Sequence, residues 1–395
     1  MSVHHHDKQQ LQYISMNLKT SPFTIHVPEE DIQDLYRRIK NTRFPEFRLD
    51  SDWKDGTDSN YLYDLLTYWV TDYSWREREK WFNSFDHYKT DIDGVNLHFI
   101  HAKSKRKDAM PLLLMTGWPS SFVQLLDIIP LLTDEINDHQ MYFDVIAVSM
   151  PGYAFSDVPK VPGMNFEFIA ELIVKLMVDK LGYECFAARG SDQGAMVQQQ
   201  IALKYPKRLI GVHRSGITPF LNPLPTDLSE EEIVYQQQVT FWEMRETGYA
   251  KLQASRPQTL IPALADSPAG LAAWMIEKFQ RWGDCGTDPV GHFGRDRILD
   301  NICLHWFVSG GSGAIRLYYE SAKDSGLTGR VEVPTAIAMP LRDGITVPAP
   351  RRWAERFYNV QQWTVMERGG HFPEWEIPAE LAIDIRSFFN TLRFK

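Results

Sequence analysis

The 395-residue sequence predicts an α/β fold: a mostly parallel sheet flanked by helices, preceded by a wrapping segment and interrupted by a helical insertion. Three observations predict it. Short apolar runs alternate with helical patterns, a glycine-rich turn joins one such run to a helix, and residues 216–328 break the alternation by reading mostly as helix. The composition is globular, with 44% hydrophobic and 24% charged residues, which excludes disorder, collagen and coiled coil. At about 150 residues per domain the length allows two or three domains or one elaborated core.

Residues 1–22 read as a polar tail. Its triplet His4, His5 and His6 is given no function, and it lacks the apolar run that a signal peptide or membrane span needs. Residues 23–90 are rich in aromatics, including Trp53, Tyr61, Tyr63, Tyr68, Trp69, Trp75 and Trp81, and read as an N-terminal domain that wraps a core rather than folding alone. The same aromatics would suit a second subunit, so a homodimer is an open expectation. Residues 91–215 hold the first part of the core. Asp93-Gly94 is a hairpin signal, and Val95, Leu97 and Phe99 alternate as in a half-buried strand, so the sheet is expected to begin at Thr90.

Further strands are expected at Pro111–Met115, Phe143–Ser149, Cys185–Arg189 and Leu209–His213, with a helix at Gly194–Tyr205 closed by Pro206. Residues 216–328 form the insertion, where Leu271, Trp274, Met275, Lys278, Phe279 and Trp282 fall on one helical face; an all-helical insertion into such a core reads as a lid. Residues 329–395 complete the core with strands at Thr335–Met339 and Trp363–Met366.

Lys and Arg total 42 against 51 Asp and Glu, a net charge of −9, which argues against nucleic acid and anionic membranes and favours neutral or cationic small partners. Cys185, Cys285 and Cys303 are odd in number and widely scattered, without zinc-site or disulfide spacing, which suggests a reducing, cytoplasmic setting.

Gly190-Ser191-Asp192-Gln193-Gly194 carries the sharpest chemical signal, because it lies between an expected strand and an expected helix. In a G-x-Nu-x-G frame the glycines permit a strained turn that lifts the central side chain above the sheet, at a helix N-terminus that favours negative charge. The central residue is Asp192; Ser191 is off centre by one. Taken alone, the five residues read more readily as a glycine-rich turn with a helix-capping Asp. Asp343 follows the Thr335–Met339 strand, and His371 sits in the loop Arg368-Gly369-Gly370-His371-Phe372 after the last strand. The order nucleophile, acid, histidine is that of the α/β-hydrolases. The backbone N–H groups of Trp118, in the turn Met115-Thr116-Gly117-Trp118-Pro119, and of Gln193 are candidates for an oxyanion hole.

These motifs resemble the microsomal-type epoxide hydrolase family of the α/β-hydrolase superfamily. The resemblance spans Phe23 to Glu46, Trp75 to Gly94, Gly117-Trp118-Pro119, Pro151-Gly152-Tyr153-Ala154-Phe155-Ser156, the elbow and Gly369-Gly370-His371-Phe372. It implies an α/β-hydrolase core with a helical lid and an epoxide hydrolase N-terminal domain. It also implies an enzyme that opens a small apolar epoxide to a vicinal diol through an aspartyl ester, then hydrolyses the ester with water activated by His371. No metal or organic cofactor is implied.

Two lid tyrosines of that family hold the epoxide oxygen. Tyr249, in Gly248-Tyr249-Ala250, resembles the first, and Tyr318, beside Tyr319, the second. Thr116 stands in place of a histidine, Ser191 of a glycine and Gln193 of an aromatic or aliphatic residue, and Asp343 lies one residue further past Pro340 than the family's acid. Two alternatives stay open: a dehalogenase with the same aspartate nucleophile, and a noncatalytic binding protein on the same fold. Detoxification and secondary metabolism are both open as roles.

Overall fold

Nine strands form one sheet in the order β1-β2-β3-β5-β4-β6-β7-β8-β9: Ser21–Pro22, His87–Ile92, Val95–Ala102, Met110–Met115, Phe143–Val148, Phe186–Gly190, Leu209–Ser215, Val331–Pro340 and Tyr358–Met366 for β1 to β9. They come from a computed structural model, which describes residues 20–44, 52–134, 141–158, 160–217, 225–308, 312–323, 329–345 and 347–393. The His4–His6 triplet lies outside the described residues.

The pairings β1/β2, β2/β3 and β3/β5 are antiparallel and all others parallel. β2 and β3 turn over Asp93 and Gly94, whose φ values of 55° and 82° are the positive pair that a tight hairpin of matching twist requires. The sheet starts earlier than Thr90. His87 already pairs with Ile100, and Ser21–Pro22, expected in the tail, adds a strand to the edge. Pattern reading missed the edge strand because two residues carry no periodicity.

The N-terminal segment contributes helices Glu29–Lys40, Ser59–Thr71 and Trp75–Phe82. In the first, Ile32, Leu35 and Ile39 fall on one face and are buried. Trp69 and Trp75 are fully enclosed, whereas Tyr63 is 53% exposed. Tyr61, Tyr68 and Tyr73 donate their hydroxyls to Asp288, Asp296 and Asp300 of the insertion at 2.8 to 2.9 Å, and Arg78 bonds the buried Asp300 through Nη2 at 2.6 Å. The segment therefore wraps the insertion as well as the sheet.

Seven helices lie between β7 and β8 among the described residues, from Glu230–Glu246 to Ser312–Ser321. In Pro268–Trp282 the buried face holds Leu271, Met275, Phe279 and Trp282 as expected, together with Ala272 and Ile276. Trp274 and Lys278 are only half-buried on its flank, where the Lys278 ammonium sits 4.9 Å from the Tyr249 ring centroid. Among the described residues no single helix is long and apolar enough to cross a membrane.

The chain leaves β4, β6, β8 and β9 at their carboxyl ends through the Trp118 turn, the Asp192 elbow, the Asp343 loop and the His371 loop. One edge of the sheet thus gathers every candidate group of the core, as open α/β sheets do with ligand sites.

Candidate active site

β6 ends at Gly190 and the helix Asp192–Lys204 begins two residues later, so the backbone reverses within Ser191 and Asp192. Asp192 has φ 48°, a left-handed value costly for a residue with a Cβ. Close packing holds it there. A Cβ on Gly194 would stand 2.6 Å from the Met115 carbonyl, and one on Gly117 would stand 1.9 Å from Asp192 Oδ1, so both positions need glycine. Trp118 donates its backbone N–H to Asp192 Oδ1 at 3.1 Å. The Gln193 nitrogen would lie 2.6 Å from the same Gly117 Cβ, so both backbone donors flank the carboxylate. The Gln193 side chain points elsewhere, accepting from the buried Tyr153 hydroxyl.

His371 joins the two acids. Its Nε2 lies 3.2 Å from Asp192 Oδ2 and its Nδ1 lies 3.2 Å from Asp343 Oδ2. The carbonyl of Trp282 fixes both loops, accepting from His371 N at 2.9 Å and from Gly344 N at 3.3 Å. Asp343 Oδ1 accepts from Ile345 N at 2.9 Å, so the longer approach from Pro340 still delivers its carboxyl to the imidazole. Burial pushes the His371 pKa down, but the charge of Asp343 and the bonds to both carboxylates outweigh it and raise it to about 10.

Tyr249 and Tyr318, from the helices Gly248–Ser255 and Ser312–Ser321, line the same cavity of about 800 Å³ as Asp192, Asp343 and His371. Their rings meet edge to face with centroids 6.0 Å apart, and the Trp118 indole stacks on Tyr249 with ring centroids 5.4 Å apart. Burial first, and then nearby negative charge including Asp192, raises both phenols above their ordinary range, so both keep their protons. Tyr319 packs instead against the ammonium of Lys323, 3.9 Å from its ring centroid.

Sequence reasoning missed the polar layer behind the elbow. Arg189 on β6 and Glu374, three residues past His371, form an ion pair of 2.8 Å with neither side chain exposed. Glu374 Oε2 accepts from Gln124 at 2.5 Å, and Gln124 Oε1 accepts from the Thr116 hydroxyl at 2.8 Å. Arg189 also donates to Ser215 Oγ at 2.5 Å. This chain ties the histidine loop to the Trp118 turn, and it gives Thr116 a structural partner where the resemblance leads one to expect histidine. No local spacing signals contacts 250 residues apart.

With this geometry in place, comparison with known proteins is informative. Residues 20–125 match the family model for the epoxide hydrolase N terminus, and residues 110–262 match the alpha/beta hydrolase fold. A relative from Stigmatella aurantiaca (strain DW4/3-1), itself provisionally named an epoxide hydrolase, is 40% identical over 95% of this chain and 86% of its own. Epoxide hydrolase 1 of Sus scrofa is 33% identical over 94% of this chain and 88% of its own. Two solved structures share the architecture. The juvenile hormone epoxide hydrolase of the silkworm Bombyx mori has a TM-score of 0.86, 29% identity and 95% coverage of both chains. The Aspergillus niger epoxide hydrolase has a TM-score of 0.83 and 26% identity, covering 95% of this chain and 97% of its own. From its N-terminal region to its last helix, the chain belongs to the epoxide hydrolase family of the α/β-hydrolase fold.

Proposed function

We propose that this enzyme opens an epoxide to a vicinal diol in two steps through an ester on Asp192. An ionised Asp192 oxygen attacks an epoxide carbon, the strained C–O bond breaks, and its electron pair becomes an alkoxide. Tyr249 and Tyr318 hold that oxygen, and one of them supplies its proton. Water then attacks the ester carbonyl. His371 takes the water proton and passes it to the departing diol oxygen, Asp343 orients the imidazole, and the N–H groups of Trp118 and Gln193 receive the negative charge of the tetrahedral intermediate. Collapse frees the diol, and the second water proton, left on the Asp192 carboxyl, returns to the tyrosine that gave one, restoring both the carboxylate and the phenol.

The observation that carries this reading is one carboxylate facing two kinds of partner. Asp192 lines the cavity with both phenols, and its Oδ2 touches His371 Nε2 at 3.2 Å. The raised pKa of His371 fits the sequence of steps. Esterification cancels the charge of Asp192 and removes a hydrogen bond that retains the imidazole proton, so the histidine becomes a base when water must be activated. A leaving halide would call for indole donors. Trp242 is the one tryptophan among the described residues lining the cavity, and its Nε1 donates to the Gly344 carbonyl, which favours oxygen over halide. The test is a single turnover in oxygen-18 water: label in the Asp192 carboxylate is expected, and label in the diol alone would refute the ester.

A further inference from the structure

Arg214, near the end of β7, lines the cavity yet is only 2% exposed. It pairs in the sheet with Gly190, two residues ahead of Asp192. Its Nε donates to the Gly216 carbonyl at 3.2 Å, and its Nη1 donates to Gln199 Oε1 at 3.2 Å and to the Tyr358 hydroxyl. The Tyr358 ring centroid lies 4.7 Å from the guanidinium carbon. Every one of these partners is uncharged. Among the described residues no Asp or Glu forms an ion pair with Arg214, and none of these bonds uses Nη2.

A guanidinium cannot escape burial by losing its proton, so a buried arginine is normally matched to an acid. Arg189, on the neighbouring strand, obeys this rule through Glu374. Arg214 departs from it at the one place where a ligand can bring the missing charge. We propose that Arg214 is an anion-binding subsite of the substrate cavity, and that the favoured substrates are epoxides carrying a carboxylate. This rests on the epoxide-opening reading and names its substrate class.

The helix Asp192–Lys204 sets the scale. Gln199, which holds the guanidinium, lies seven residues after Asp192, about 10 Å along the helix axis at 1.5 Å per residue. Ala195 and Met196, on the turn between them, also line the cavity. An apolar linker of medium length therefore separates the carboxylate from the epoxide, with Met196 and Ile217 beside it.

The test compares kcat/KM for terminal epoxides from epoxyhexanoate to epoxydecanoate with kcat/KM for their methyl esters at neutral pH. The wild type is expected to prefer the acids by about tenfold or more at the best chain length, and Arg214→Met to bring the ratio close to unity. Equal turnover of acids and esters by the wild type would overturn the subsite and leave the hydrolase reading intact. Absence of diol from every epoxide would strike the hydrolase reading instead. Calorimetry of the wild type with octanoate and octanamide decides the subsite without turnover or a variant: tighter octanoate binding supports it, and equal affinity overturns it.

Discussion

The two sides of the Asp192 elbow are built on opposite terms. Behind Asp192, Arg189 meets Glu374, Glu374 meets Gln124 and Gln124 meets Thr116, all buried and joined to one another. In front of it, the phenols of Tyr249 and Tyr318 and the guanidinium of Arg214 line a cavity of about 800 Å³. Behind the elbow the buried guanidinium of Arg189 is paired with an acid, Glu374, although its Nε has no hydrogen-bond partner, whereas in front no Asp or Glu among the described residues forms an ion pair with Arg214. The contrast separates the packed side of the elbow from the side open to a ligand.

The largest effect that could break this contrast is Asp192→Ala, expected to lower kcat by at least about 10⁴-fold with the fold intact. His371→Gln should instead stall after the first step, and mass spectrometry of the intact protein should then show a substrate adduct; turnover without an adduct would remove His371 from the second step. Behind the elbow, Glu374→Gln leaves Arg189 buried without its acid and should cost about 3–5 kcal/mol in denaturant unfolding. The double variant Arg189→Met/Glu374→Leu should be less destabilised than that single one, and if it is not, the pair does more than neutralise itself.

In front, Tyr318→Phe removes one donor to the opening oxygen and should slow ester formation about 10²-fold in stopped-flow fluorescence, while Tyr319→Phe should leave it unchanged. The smallest effect concerns protons. His371 has a folded pKa raised to about 10, so its contribution to stability is complete below its unfolded value near 6.5 and fades as pH rises toward 10. Asp192→Asn should lower the imidazole pKa, seen by NMR titration, and flatten the dependence of Tm on pH across that window; an unchanged titration would mean Asp343 alone holds the proton.

The elbow, the histidine loop and the parallel strands were legible because each is written locally, in glycines at fixed spacing and in apolar runs bounded by turns. Tyr318 was separable from Tyr319 only by helix phase in three dimensions, which turns one ring to the cavity and the other to Lys323. Trp274 and Lys278 share the spacing of the buried face but lie on its flank, since a stripe drawn at three and four residues is wider than the contact it makes. Arg189, Glu374 and Arg214 left no trace in the pattern, because a charged residue inside a strand or just after the histidine loop reads as solvent-facing until its partners are known.

The bonds from the N-terminal segment to the insertion fall on Asp266, on Ala273 and on the stretch from Asp288 to Asp300. The cavity is lined from a different part of the insertion, residues 242–254 and 318–322. The N-terminal segment thus holds the middle of the insertion, whereas the stretches that line the cavity are tied to the core instead, through Trp242 to Gly344 and Glu320 to Gly163. Substitutions that strengthen the bonds of the middle stretch should therefore change stability more than turnover.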